Sequence, residues 1–145
     1  MTYPDLMIAP MRRELTEIGF TELRTPEAVD AFMKENREGT ALLAVNSICG
    51  CAAGTMRPAL ARALQISARP QALGAVFAGK DLEATDRARQ YFIGYAPSSP
   101  AVALFKDGQL IMMLERHHLK GQHPQMVSEE LIAAFEKFCA AGASR

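Results

Sequence analysis

Apolar residues along this chain fall into short blocks separated by polar, glycine- or proline-bearing segments, and the spacing within each block predicts an element. Thr40-Ala41-Leu42-Leu43-Ala44-Val45 is almost continuously apolar and bounded by polar residues, the pattern of a strand buried on both faces of a sheet. Gln71 to Phe77 is a second candidate strand. Thr25-Pro26-Glu27 reads as a helix start, with a capping threonine, a proline at the first helical position and an acid in the first turn. Ala28, Val29 and Phe32 give that helix its apolar face, and it should fade between Asn36 and Gly39. An earlier helix is expected from about Pro10 to Ile18, closed by Gly19. Ala52 to Gln65 is helix-rich, and Pro58 should kink it because one backbone donor is lost. Leu82 to Phe92 is the next helix.

The last third has a different rhythm. Ala101 to Phe105, then Lys106-Asp107-Gly108-Gln109, then Leu110 to Leu114 reads as a β-hairpin with an Asp-Gly turn. A final helix is expected over roughly Pro124 to Ala141, with Leu131, Ile132, Phe135, Phe138 and Cys139 on one face. The order is helix, strand, helix, strand, helix, strand, helix, hairpin, helix. Alternating units imply parallel pairing, and the hairpin adds antiparallel strands at one side. The expected class is therefore α/β: a three-layer sandwich with a central mixed sheet and a C-terminal β-hairpin plus helix. No repeat or linker divides it, so residues 1–145 are expected to form one domain.

Composition narrows the picture. A chain of 145 residues, 49% hydrophobic and 22% charged, is large enough to bury a core without disulfide staples. Sixteen basic residues balance sixteen acidic ones, so nucleic acid and anionic membrane are not expected partners. The N-terminal segment places Asp5 and two prolines ahead of its first basic pair, the wrong order for a secretory signal. The most apolar stretch, Thr40 to Thr55, is interrupted by Asn46, Gly50 and Gly54 and falls short of the roughly 18 residues a spanning helix needs. A soluble, cytoplasmic protein is expected.

The three cysteines carry the candidate chemistry. Cys49 follows a buried strand and precedes a helix, where unpaired backbone amides and the helix dipole favour an anion and lower a thiol pKa. Gly50 removes side-chain bulk and permits a tight turn between the sulfurs. A Cys49–Cys51 disulfide would close a small ring, feasible but strained and hence easily reduced. The pair could instead ligate a metal or iron–sulfur cluster, which needs further ligands from Cys139, His117, His118 or His123; their spacing is not metal-like. An inert, buried pair is the third reading. Cys139 reads as a buried thiol on the apolar face of the last helix, and the histidines as solvated element-end residues. Tyr91, Phe92 and Tyr95 read as core, or as the wall of a groove for a partner. Pro100, behind Ser98 and Ser99, reads as the first residue of a strand, with a trans peptide bond as the majority state.

Taken together, Cys49-Gly50-Cys51 after a buried strand, Pro58 in the following helix, and Pro100 ahead of a strand resemble the thioredoxin fold. More narrowly, Asn46-Ser47-Ile48-Cys49-Gly50-Cys51-Ala52, Pro97-Ser98-Ser99-Pro100, Glu115-Arg116-His117-His118 and Phe135-Glu136-Lys137-Phe138-Cys139 resemble the bacilliredoxin family over nearly the whole chain. The resemblance implies a thiol–disulfide oxidoreductase that removes bacillithiol, or a similar small thiol, from mixed disulfides on client proteins. It implies Cys49 as nucleophile, Cys51 as resolving residue, Pro100 as a cis-proline beside the sulfurs, and the Ser99 backbone, with Gly50, as the surface offered to substrate. No bound cofactor and no metal are expected. A disulfide isomerase using the strained pair and, in another class, a non-catalytic metal carrier remain alternatives.

Overall fold

A computed structural model describes residues 3–65 and 68–139. Five strands form one mixed sheet in the order β1-β3-β2-β4-β5: β1 (Thr21–Glu22), β2 (Thr40–Asn46), β3 (Ala72–Phe77), β4 (Ala101–Lys106) and β5 (Gln109–Leu114). β3 is parallel to both β1 and β2, whereas β2–β4 and β4–β5 are antiparallel. The strand expected to be buried on both faces is so: every residue of β2 is buried. Leu42 and Ala44 face one core with Val102 and Leu104 of β4, while Ala41, Leu43 and Val45 face the other with Ala101, Ala103 and Phe105.

Helices cover both faces. α1 (Asp5–Thr16), α3 (Arg57–Ala63) and α6 (Pro124–Phe138) pack on the first core through Leu15, Ala59, Leu60, Ala63, Val127, Leu131 and Phe135. α2 (Pro26–Glu35) and α4 (Leu82–Gln90) pack on the second through Val29, Phe32, Met33, Ala84 and Ala88. The result is the expected three-layer α/β sandwich. Thr25 caps α2 as predicted, its hydroxyl accepting the Ala28 N–H at 3.1 Å. Asp107 and Gly108 both take positive φ, 52° and 82°, the backbone of a two-residue hairpin turn whose twist matches its strands. The Asp107 carboxylate also accepts the Gly39 N–H at 2.9 Å, fastening the turn to the start of β2.

Three boundaries differ from expectation. The first helix begins five residues early, at Asp5, and carries Pro10 inside it. Pro10 leaves the Leu6 carbonyl without its helical donor, and Leu6 is 91% exposed, so water can serve that carbonyl. The kink expected at Pro58 takes another form. A π-helical turn, Ala52–Met56, precedes α3, and Arg57 N–H bonds the Ala52 carbonyl five residues back; Pro58 then lies in the first turn of α3, where a missing donor is tolerated. The final helix ends at Phe138, and the expected positions 140 and 141 lie outside the described residues. A four-residue helix, α5 (Arg116–Leu119), follows β5 where sequence analysis gave none. Among the described residues no helix is long and apolar enough to cross a membrane.

Candidate active site

β2 ends at Asn46, and helical backbone resumes at Gly50, so Cys49 stands where a helix N-cap belongs. Its carbonyl accepts the Ala52 and Ala53 N–H groups at 2.9 and 3.2 Å. Its Sγ accepts the Cys51 N–H at 3.4 Å, as a serine or aspartate oxygen would do at a cap. The Cys51 N–H is the main influence holding the Cys49 thiol below its ordinary pKa. Burial opposes it, and the Cys51 thiol, the Arg116 cation and the Ala52 N–H reinforce it. Both cysteines are free and half-buried. Gly50 has ordinary helical backbone rather than a positive φ, so the tight turn expected of it is not its role. A Cβ added at Gly50, or at Gly54 one turn on, would meet no heavy atom within 4 Å. Bare backbone beside Cys49 therefore faces open space.

The segment before Cys49 is held from below. Arg57, 3% exposed, donates to the Asn46 side-chain oxygen at 2.8 Å, to the Ser47 carbonyl at 2.9 Å, and to Glu14 of α1 at 2.9 Å. The Asn46 oxygen also accepts the Ser47 N–H at 2.9 Å, and the Ser47 hydroxyl accepts the Cys49 N–H at 3.1 Å. Asn46 Nδ2 reaches the Met11 carbonyl at 3.1 Å. Backbone groups around the motif that the sheet leaves unpaired are thus met by side chains.

Residues 98–100 arrive at the same end of the sheet. β2 and β4 are antiparallel with Val45 opposite Ala101, so the chain leaving β2 and the chain entering β4 emerge together. The Ser99–Pro100 bond is cis, against the trans bond that sequence alone favours. Pro100 is buried and Ser99 half-buried. The Ser98 hydroxyl donates to the Pro100 carbonyl at 3.4 Å and accepts the Arg116 N–H at 2.7 Å, which ties the start of α5 to this loop. α5 itself packs on the π-helical turn, with Leu119 fully buried.

The remaining candidates separate. Among the described residues, Glu115, His117 and His118 place one oxygen and two ring nitrogens within 4.8 Å of one another. Their convergence belongs to the cap of α5: His118 Nδ1 accepts the Glu115 N–H at 2.9 Å, and His117 Nε2 lies 3.1 Å from Glu115 Oε1. Neither Cys49 nor Cys51 joins that group. Cys139 is half-buried against the first core, and burial raises its thiol pKa. Phe92 is core, stacked on Phe105 with ring centroids 6.3 Å apart; Tyr91 bonds Asp30 at 2.6 Å, and Tyr95 is exposed.

Comparison with known proteins decides the family. The model of the disulphide isomerase family matches residues 3–139. A bacilliredoxin of Cytophaga hutchinsonii is 50% identical over 135 residues, covering 93% of this chain and 98% of the relative. The chain belongs to the bacilliredoxin family. A Geobacillus kaustophilus member is 52% identical over 137 residues, 94% of this chain and 92% of that protein. A Salinibacter ruber member is 49% identical over 140 residues, 96% and 82% respectively. Among solved structures, the thioredoxin of Malassezia sympodialis superposes with a TM-score of 0.57 at 17% identity, over 84% of this chain and 92% of that one. Mitochondrial thioredoxin 3 of Saccharomyces cerevisiae gives 0.52 at 22% identity, over 79% and 94%. These two carry the fold: it is the thioredoxin fold. Family membership makes the chain a thiol–disulfide oxidoreductase.

Arg57, Asn46, Ser47, Ser98 and Arg116 carry no individual role that the sequence pattern reveals. Arg57 did leave a trace, as a charged residue beside Met56 and Ala59 on the buried face of α3, whose other arginine, Arg62, is exposed. Arg116 entered only within the Glu115-Arg116-His117-His118 stretch, because its position depends on a four-residue helix without periodicity.

Proposed function

We propose that the protein removes bacillithiol, or a similar small thiol, from mixed disulfides on client proteins, with Cys49 as nucleophile. The Cys49 thiolate attacks the thiol's sulfur in the mixed disulfide. One S–S bond forms to Cys49, one breaks, and the client cysteine departs as a thiolate, with no net change in oxidation. Cys51 then attacks Cys49, releases the small thiol as a thiolate and forms the Cys49–Cys51 disulfide, which a further thiol reductant reopens. Gly50 and the Ser99–Pro100 backbone are the surface an extended client segment would meet. The work is done in the cytoplasm, by residues 1–145 as one domain, without metal or cofactor.

The observation that carries this reading is the Cys49 sulfur in the capping position, accepting the Cys51 N–H and lowered in pKa. Open space over Gly50 and Gly54 leaves room for a second sulfur and its carrier. Disulfide isomerisation is a second reading, favoured by the description of the matching family and using the same two sulfurs.

Reduced Cys51→Ser protein should be mixed with a client bearing a bacillithiol adduct, and both followed by intact mass. The adduct is expected to leave the client and map to Cys49, and Cys49→Ser should accept none. A client that keeps its adduct while Cys49 alkylates readily would redirect the site to protein disulfides.

A further inference from the structure

Three segments share one end of the sheet: the helix start that carries Cys49, residues 98–100, and the first turn of α5, which is tied to Ser98 and packs on the π-helical turn. The last supplies a cation without a partner. Among the described residues the Arg116 guanidinium makes no hydrogen bond and no ion pair, although its own backbone is anchored by the Ser98 hydroxyl at 2.7 Å. The neighbouring carboxylate is occupied elsewhere. Glu115 caps α5 and contacts His117, so it does not neutralise Arg116. The buried arginines of this structure behave differently: Arg12 pairs with Asp81 and Arg57 with Glu14. The Arg116 backbone is held to the loop that precedes Pro100 and α5 packs on the π-helical turn that follows Cys49, so the cation lies on the Cys49 side of the molecule and helps to lower that thiol's pKa. A chain of zero net charge thus presents an unpaired cation at the same end of the sheet as its nucleophile.

We propose that Arg116 is the specificity-determining residue for the small thiol, its guanidinium receiving a carboxylate or similar anionic group carried by the thiol whose sulfur joins Cys49. The proposal rests on Cys49 as the nucleophile of the function proposed above. A guanidinium fork suits this task because it pairs two-pronged with a carboxylate and keeps its charge at every working pH. Its anchored backbone limits how far the guanidinium can reach, which favours thiols whose charge falls within that reach of the sulfur.

The test uses the reduced Cys51→Ser chain, in which a thiol accepted by Cys49 is retained. Two small disulfides are offered: dithiobis(nitrobenzoate), which carries carboxylates, and dipyridyl disulfide, which is neutral. Adding Arg116→Gln is expected to slow the anionic probe about fivefold more than the neutral one, the size of a single solvent-exposed charge contact. Adding Arg116→Lys should restore most of the preference, and raised salt should shrink it in the arginine form. An unchanged ratio in Arg116→Gln overturns the proposal while leaving Cys49 as nucleophile. Failure of the neutral probe to react at Cys49 in the Arg116 form would instead sink the functional reading beneath it. Dependence on Arg116 that appears only with clients having acidic residues near the modified cysteine would assign the anion to the protein, and also overturn it.

Discussion

The Cys49 sulfur is reactive because of where the backbone places it. Its pKa is pulled down by the Cys51 N–H first and by Arg116 further out, whereas burial pushes Cys139 up. The two thiols should therefore separate with pH. As pH rises, Cys49 reaches its full alkylation rate earlier than an ordinary thiol, and Cys139 later. Peptide mass after brief iodoacetamide treatment at a series of pH values reads both. Gly50 offers a second test. Since its backbone is helical and a Cβ would touch nothing, Gly50→Ala should leave the fold intact and stabilise it by about 0.5–1 kcal/mol. Its transfer rate from protein clients should fall more than its rate with small disulfides, because only the former need the bare backbone. The sulfur pair and its strand–helix setting were plain in the sequence. The Arg57–Asn46–Ser47 support was not, because it joins residues ten and eleven apart through a turn whose shape no local pattern specifies.

At the scale of elements, hydrophobic periodicity located every sheet strand of four or more residues and all the long helices, since burial on one or two faces leaves a period in the sequence. It missed what depends on hydrogen-bond register. The π-helical turn comes from a bond five residues long that apolar spacing does not distinguish from the usual four. Helix α1 continues back through Pro10 because tertiary contacts hold its first turn: Asp5 pairs with Lys80 at 3.1 Å, and Tyr3 packs over Gly79. The hairpin, by contrast, was written in two residues. Gly108 sits at φ +82, and a Cβ there would meet only ordinary contacts near Arg37, so the cost of Gly108→Ala is backbone strain alone. That substitution should lower unfolding stability by about 1–2 kcal/mol, measured by denaturant titration, with the Cys49 rate unchanged because the turn lies at the opposite end of the sheet.

Over the whole molecule, two cores on either side of β2 and β4 bring the segments that carry Cys49 and Pro100 to the same end of the sheet. One buried ion pair stitches the layers. Arg12 of α1 forms a two-pronged contact with Asp81 at 2.8 and 3.0 Å, and Asp81 also accepts the Phe77 N–H at the end of β3. Arg12→Met would leave the Asp81 carboxylate buried without its cation and should cost about 3–5 kcal/mol, seen as a lower denaturant midpoint with an unchanged slope. Alternating elements announced the fold class but could not show this pair, whose partners are 69 residues apart. The central claim is that this fold makes Cys49 a nucleophile, and its most direct test is the Cys49 alkylation rate near neutral pH, resolved by peptide mass in the reduced, unsubstituted protein. The account predicts that Cys49 reacts well ahead of the same thiol in the denatured chain and ahead of Cys139. A Cys49 that reacts no faster folded than unfolded would contradict it.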